Sequence, residues 1–429
     1  MLLGELKGLM EQTKKRAIWW RVLCIILAVI IFAAGCIVVA FAWVWSDEIS
    51  TVSSFTKLRE RNDANEEGSV YSMNVKGGFY FDKFLEQGGA SDDGELINFI
   101  TDNITRGLIK IEIKKTDIGC SSFMAKAENG DILFARNYDF DKTNVCLTMT
   151  DPGEGRYKSF STVDLNYVGM DTEKDVDGLM NKITCLASPY APLDGINEMG
   201  VSCGIYMSYQ GANTVETNQQ SAAKANITST TMLRMVLDYA KDVDEAVSLI
   251  KDYNLHDSAN TSFHYMIADA SGRSAILEWV PAEGVTDSED NDGAARTLNV
   301  IYNTDPMYDE ALSGSQFRYQ AITNFIVTPG YYEGEQEDEM KGLDRYEYIN
   351  GQLSATGGIV KDEQAAMDIL AAVGRRTWKP GDGITVHSAV YNLTQKTVTW
   401  VANENYDDPS AVWTYDLATG ELVSLASKA

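Results

Sequence analysis

Apolar residues form one long unbroken run near the N-terminus and many short ones after it. Val22–Trp45 (VLCIILAVIIFAAGCIVVAFAWVW) carries no charge. A helix of that length, rising about 1.5 Å per residue, crosses the roughly 30 Å hydrocarbon core of a bilayer. Lys14, Lys15, Arg16 and Arg21 precede the run, Asp47 and Glu48 follow it, and Trp19, Trp20, Trp43 and Trp45 stand at its edges. The positive charge before the run places residues 1–21 in the cytoplasm and the rest of the chain outside. A cleaved signal peptide is the competing reading, since Ala40-Phe41-Ala42 has the form of a cleavage site. The run is longer than the ~7–15 apolar residues of such a peptide, so an uncleaved anchor over residues 22–45 is expected.

Beyond the anchor, short runs alternate with turn clusters. Residues 46–119 are polar around Arg59–Asp63 and Gly88–Gly94. Leu96, Phe99, Ile100, Leu108, Ile109, Ile111 and Ile113 then predict a helix followed by a strand. This segment is expected to be a cap or pro-segment packed against a catalytic domain over 120–429. Ser122–Ala125 and Ile132–Ala135 flank Glu128-Asn129-Gly130-Asp131, a hairpin signal. Asp194–Val201 reads as strand, turn, strand and continues into CGIYMSY. Met232, Met235, Val236 and Tyr239, then Ala246, Val247, Ile250 and Tyr253, predict two helices over 226–253 with a break at Asp242–Asp244. A second hairpin (Phe263–Asp269, Ser274–Val280), a strand (Leu298–Tyr302), helices beginning in Ser313–Phe325 and over Asp362–Val373, and a closing hairpin (Val386–Asn392, Thr397–Ala402) complete the pattern. Many hairpins with a few long helices give an α+β class.

Composition narrows the function. The chain has 429 residues, 45% of them hydrophobic, with a net charge of −26. That is globular and strongly acidic, which excludes a nucleic-acid partner, whose recognition needs a basic footprint. The excess of basic over acidic groups in residues 1–21 makes the exported part more acidic still. Six cysteines show no CxxC or Cys/His spacing, so neither a metal nor any other cofactor is expected, and no disulfide framework. A homo-oligomer is compatible with this composition.

The stretch Gly119–Asp139, GCSSFMAKAENGDILFARNYD, carries the chemistry. The hairpin returns its second strand beside Cys120, bringing Arg136 and Asp139 to the same end. A cysteine that becomes the first residue of a chain has an α-amine with a pKa of about 7.7–8.0 next to a thiol of about 8.5, and the amine can take the thiol proton. No histidine is then needed, and the chain has three: His256, His264 and His387. His264 reads as structural, and His387 as lying on a strand far from this stretch. A carboxylate at Asp139 would orient the α-ammonium, and a guanidinium at Arg136 would stabilise the thiolate. Cutting the Gly119–Cys120 bond by attack of the Cys120 thiol would generate that N-terminus.

These residues resemble the choloylglycine hydrolase and penicillin V acylase family, the linear amide C–N hydrolases, which are N-terminal-nucleophile enzymes. Its Arg and Asp follow the Cys by sixteen and nineteen residues, as Arg136 and Asp139 follow Cys120. DGINEMGVSCGIYM, beginning at Asp194, resembles the family's DGxNExG element and implies an oxyanion role for Tyr206. Asn at that position is typical of bile salt hydrolases, and Tyr of penicillin V acylases. Asn303 matches the family's strand-end Asn, which donates to the tetrahedral intermediate. Arg318 matches the Arg of a Ser-x-Arg-Phe element, with one extra residue after Ser315.

The resemblance spans about 120–405. It implies a four-layer αββα sandwich and hydrolysis of a small-molecule amide: a conjugated bile salt, N-acyl amino acid, phenoxyacyl penicillin or N-acyl lipid. Acyl transfer, dipeptidase activity and a non-catalytic surface binding module are the alternatives.

Overall fold

The computed structural model describes residues 2–107, 119–153, 155–209, 216–281, 293–332, 340–381 and 383–428. The chain forms two units, Met1–Ser50 and Thr51–Ala429. In the first, Leu2–Val44 is one continuous helix, and Leu3–Val44 is long and apolar enough to cross a membrane. A signal sequence satisfies the same criterion. The strand expected over 108–113 lies outside the described residues.

In the second unit, two sheets share one hydrophobic core. Among the described residues the first sheet runs, in spatial order, Thr56–Arg59, Val70–Lys76, Val145–Asp151, Ser159–Asp164, Asp194–Asn197, Ser202–Met207, Phe263–Ala268, Ser274–Val280 and Thr297–Tyr302. The second runs Gln320–Ile322, Gly119–Ala127, Ile132–Phe140, Ile384–Asn392, Thr397–Ala402, Val412–Asp416 and Glu421–Ser424. Ile359–Val360 adds a short parallel pairing to Gly119–Ala127.

Helices cover both outer faces. Ser229–Tyr239 lies on strands Asp194–Asn197 and Ser202–Met207, and Glu363–Ala372 lies on Ile132–Phe140 and Ile384–Asn392. The sheets meet face to face, where Trp400 Nε1 donates to Thr162 Oγ1 at 3.1 Å. This is the αββα sandwich that the sequence implies.

The helices begin where side chains satisfy their first amides. Asp92 accepts from Glu95 N ahead of Asp93–Asn103. Asp242 accepts from Glu245 N ahead of Val243–Lys251, and Asp362 from Ala365 N ahead of Glu363–Ala372. Thr228 and Thr231 cap Ser229–Tyr239 reciprocally.

Two expectations change. Ser313–Phe325 begins no helix: Gln320–Ile322 is a strand paired antiparallel to Ser122–Met124. Gln316 N and Phe317 N both donate to Gly357 O, so this backbone finds its partners across the fold, and tertiary pairing overrides the helical pattern. The segment before Cys120 is more than a cover. Val70–Lys76 pairs in parallel with Val145–Asp151 and carries Thr56–Arg59 on its other edge, so residues 56–76 extend the first sheet. Val70–Met73 are buried on both faces, and alternation sets in only at Asn74, Val75 and Lys76, where the strand turns one face to solvent.

Candidate active site

The hairpin Gly119–Ala127/Ile132–Phe140 sets the site. Its tight turn places Gly130 at φ +99°, a left-handed conformation that glycine adopts without cost. The register then puts Gly119 opposite Asp139, Cys120 opposite Tyr138 and Ser122 opposite Arg136. Cys120, Arg136 and Asp139 thus share the open end of the hairpin, and all three are buried.

Arg136 Nη2 lies 3.5 Å from Cys120 Sγ and donates to the Ile205 carbonyl at 2.7 Å. Ile205 follows Gly204, which pairs with Asp194 on the neighbouring strand. Arg136 Nε donates to Asp194 Oδ2 at 2.7 Å. The same oxygen is 2.9 Å from His387 Nε2, and Tyr391 donates its hydroxyl to Oδ1. The guanidinium lies 4.3 Å from the centre of the Tyr206 ring, a cation–π contact. Tyr206 itself donates to Ser122 Oγ at 2.6 Å. Gly204 is required here, since a Cβ would meet Tyr206 Oη at 2.6 Å and Arg136 Nη1 at 3.2 Å.

The backbone of Cys120 is held as firmly as its side chain. Its N–H donates to Asn324 Oδ1 at 3.0 Å, and its carbonyl accepts from Arg345 Nη1 at 2.7 Å. Arg345 also donates to Asn324 Oδ1 and to Asp139 Oδ2, at 2.8 and 3.2 Å. Asp139 Oδ1 accepts from Thr385 Oγ1 at 2.7 Å, and Arg375 Nε stands 3.6 Å from Oδ2.

Electrostatics follow from this packing. Burial pushes the Cys120 thiol up to about 11, against the pull of Arg136 and Arg345, so it is protonated at neutral pH. Burial would also raise Asp194, but His387 and Arg136 hold it well below the usual carboxylate range. The Tyr206 hydroxyl is raised by burial and stays neutral.

Asn303 and Arg318 belong to another part of the sandwich. Asn303 Nδ2 donates to the carbonyls of Gly272 and Arg318, at 2.9 and 2.8 Å, and Arg318 Nε donates to the Asn303 carbonyl at 2.7 Å. Ser274 N donates to Asn303 Oδ1, and Ser274 Oγ to Gln320, which pairs with Met124. Met124 is four residues along the strand from Cys120, about 13 Å at ~3.3 Å per residue. None of these bonds reaches the sulfur.

Conversely, Asn324, Arg345 and Thr385, which stand in no sequence motif, join the site together with Asp194 and His387. His387, expected far away, is one carboxylate removed from Arg136. Asp194 was visible as the first residue of DGINEMG, and its pairing with an Arg was the available signal. Ile205 also lines a cavity of about 30 Å³ walled by Leu96, Ile100, Tyr190, Leu193 and Phe263. That volume admits roughly one water, so no acyl chain fits it as it stands.

Residues 120–290 match the family model for linear amide C-N hydrolases, choloylglycine hydrolase family. No curated protein matches the chain. Among solved structures, a variant of conjugated bile acid hydrolase from Clostridium perfringens aligns at TM-score 0.44 and 16% identity, covering 71% of this chain and 96% of its own. Penicillin V acylase from Agrobacterium tumefaciens aligns at 0.39 and 16%, covering 70% and 86%. The Caenorhabditis elegans ortholog of N-acylethanolamine-hydrolyzing acid amidase aligns at 0.37 and 15%, covering 64% and 93%. The family match begins on Cys120 and takes in Arg136, Asp139, Asp194 and Tyr206, so this stretch of the chain is similar to the choloylglycine hydrolase family of linear amide C-N hydrolases.

Proposed function

We propose that the protein is a membrane-anchored, extracytoplasmic cysteine amidase whose nucleophile, Cys120, becomes N-terminal by cleavage of the Gly119–Cys120 bond. The observation that carries this reading is the double hold on Cys120: a guanidinium 3.5 Å from its sulfur and an amide oxygen 3.0 Å from its backbone nitrogen. Ordinary strand residues need neither.

In processing, the thiol adds to the Gly119 carbonyl and the peptide nitrogen leaves as the Cys120 α-amine. Water then hydrolyses the thioester to give the Gly119 carboxylate. In turnover, the α-amine takes the thiol proton, the thiolate adds to the substrate carbonyl, and the α-ammonium returns the proton to the departing amine. Water releases the acyl group from sulfur. Asn324 and Asp139 orient the ammonium. Arg136, whose Nη1 is buried without a partner, stabilises charge on sulfur and on the oxyanion together with Tyr206. Asn303 and Arg318, tied to one another, brace the far end of the site's wall and are the weaker candidates for contact with substrate.

Residues 22–45 anchor the chain, with 1–21 cytoplasmic, by the positive-inside rule. Residues 46–119 act as a pro-segment that stays bound after cleavage, because strand Val70–Lys76 is hydrogen-bonded into the first sheet. Substrates are linear amides of the bile-salt, penicillin V or N-acyl amino acid type.

N-terminal sequencing and intact mass of the membrane-expressed protein and of Cys120→Ala test this. A fragment starting at Cys120 is expected in the wild type alone, and hydrolysis of a panel of these amides is expected to disappear with the substitution. Unimpaired hydrolysis by Cys120→Ala would overturn the reading.

A further inference from the structure

His387 has no place in the chemistry just described, yet it is fully buried at the site. Its ring stacks on Tyr138 and Trp400, with centroids 5.4 and 5.5 Å away. Nε2 is 2.9 Å from Asp194 Oδ2, and Nδ1 has no partner. The charged or titratable groups around it are Asp194, with Arg136 behind it; Tyr391 on its own strand; and Tyr138, whose hydroxyl donates to Asp164. With Nδ1 bare, Nε2 is the nitrogen that donates to Asp194.

The consequence lies in what Asp194 is left able to do. A carboxylate facing a guanidinium prefers the two-bond fork. Here Oδ2 accepts from both Arg136 Nε and His387 Nε2, and Oδ1 is occupied by the Tyr391 hydroxyl. Asp194 therefore binds Arg136 through Nε alone. Nη2 remains free for the Ile205 carbonyl and the sulfur.

We propose that His387 is a positioning residue which, acting through Asp194, holds the Arg136 guanidinium on the Cys120 sulfur. The proposal rests on the reading of Cys120 as nucleophile. Without the imidazole, Asp194 can rotate into the fork, drawing Nη2 from the sulfur and leaving the thiolate less stabilised.

The test is the ultraviolet thiolate absorbance of Cys120 against pH, taken as the difference between each protein and its Cys120→Ala counterpart. This cancels the other five cysteines, Cys24, Cys36, Cys146, Cys185 and Cys203, and the tyrosines. His387→Leu is expected to raise the midpoint by about one pH unit, equivalent to about a tenfold loss of thiolate below the midpoint. His387→Gln restores an N–H donor and is expected to return the midpoint to the wild-type value. Tyr391→Phe removes only a hydroxyl, frees Oδ1 for the same rotation, and is expected to shift the midpoint the same way. It decides the matter if His387→Leu does not fold.

An unmoved midpoint in His387→Leu or, failing that variant, in Tyr391→Phe overturns the proposal, as does an equal shift in His387→Gln. Hydrolysis surviving in Cys120→Ala would instead overturn the nucleophile reading, and the absorbance titration would still report the thiol, so the two failures are distinguishable.

Discussion

Arg136 and Arg234 are both wholly buried, and each is paired with a buried aspartate, at 2.7 and 2.6 Å. Their electrostatics nevertheless differ in sign. Burial pushes the Arg234 guanidinium down and the Asp238 carboxyl up. Arg136 instead rises, because Cys120, Tyr206 and Asp194 outweigh its burial, and Asp194 falls. For the arginines the difference lies in the second partner; the Asp238 carboxyl itself rises by burial, against the pull of both cations around it. Asp238 stands between two cations, since Arg156 Nε also donates to it at 3.1 Å, and the cations repel each other. Asp194 has one guanidinium and two further donors, the His387 ring and the Tyr391 hydroxyl. The first arrangement ties helix Ser229–Tyr239 to the sheet through Ser159. The second leaves one guanidinium nitrogen to face sulfur. A buried Arg–Asp pair is thus structural or chemical according to what else the carboxylate holds.

The harshest way to probe the structural cluster is Asp238→Ala, which strands two buried guanidiniums. A loss of about 3–5 kcal/mol is expected, read as a lower urea midpoint. An unchanged midpoint would mean that Asp238 does not organise the cluster.

Next comes the paired substitution of each arginine by lysine, which keeps the charge and loses the planar fork. Arg136→Lys is expected to lower amide hydrolysis by about 10²–10³, the usual result of losing one preorganised donor. Arg234→Lys is expected to lower the urea midpoint and leave turnover per folded molecule unchanged. Equal falls in turnover would erase the distinction between the clusters.

A smaller effect separates them by pH. The folded carboxyl of Asp194 lies below its unfolded value of about 3.9. Its contribution is therefore complete above about pH 5, and is lost as pH falls through the unfolded and then the folded value. Asp194→Asn should flatten the acid limb of the stability profile. The same substitution at Asp238, whose carboxyl is raised, should not, because there the unfolded state binds fewer protons than the folded one. Two identical acid limbs would contradict the assigned directions.

The same contrast explains what could be read from the chain. Cys120, Arg136 and Asp139 were legible because one short turn sets the register of a two-stranded hairpin, so sequence spacing becomes spatial proximity. Asp194 sits in a recognisable turn, but its partners come from strand Ile384–Asn392. Asn324 reaches Cys120 only because Gln320–Ile322 pairs with Ser122–Met124. Arg345 rides on helix Leu343–Ala355, which starts at Gly342, φ +79°, with no capping side chain to announce it. Asn303 and Arg318 show the converse: a motif match identifies residue types, while their placement depends on which strands the fold sets side by side.

Asp139 combines features of both clusters, and Gly119→Ala probes it most gently. Like Asp238 it lies between two guanidiniums, those of Arg345 and Arg375. Like Asp194 it lies close to Cys120. A Cβ on Gly119 would lie 2.5 Å from Arg375 Nη2 and 3.1 Å from Asp139 Cβ and Oδ2. The end of an arginine can swing aside, but Asp139 Cβ is fixed by the strand pairing opposite Gly119, so the clash is only partly relieved. Overpacking of this kind costs about 1–3 kcal/mol, and the lower end is expected because one partner is mobile. Moving Arg375 also leaves Asp139 to Arg345 and Thr385, and displaces the Gly119 carbonyl, where cleavage is proposed. Gly119→Ala should therefore lower the urea midpoint slightly while reducing, by intact mass, the fraction of chains cut before Cys120. A variant cut as fully as the wild type and equally stable would show that the space around Gly119 is not shared between Arg375 and Asp139.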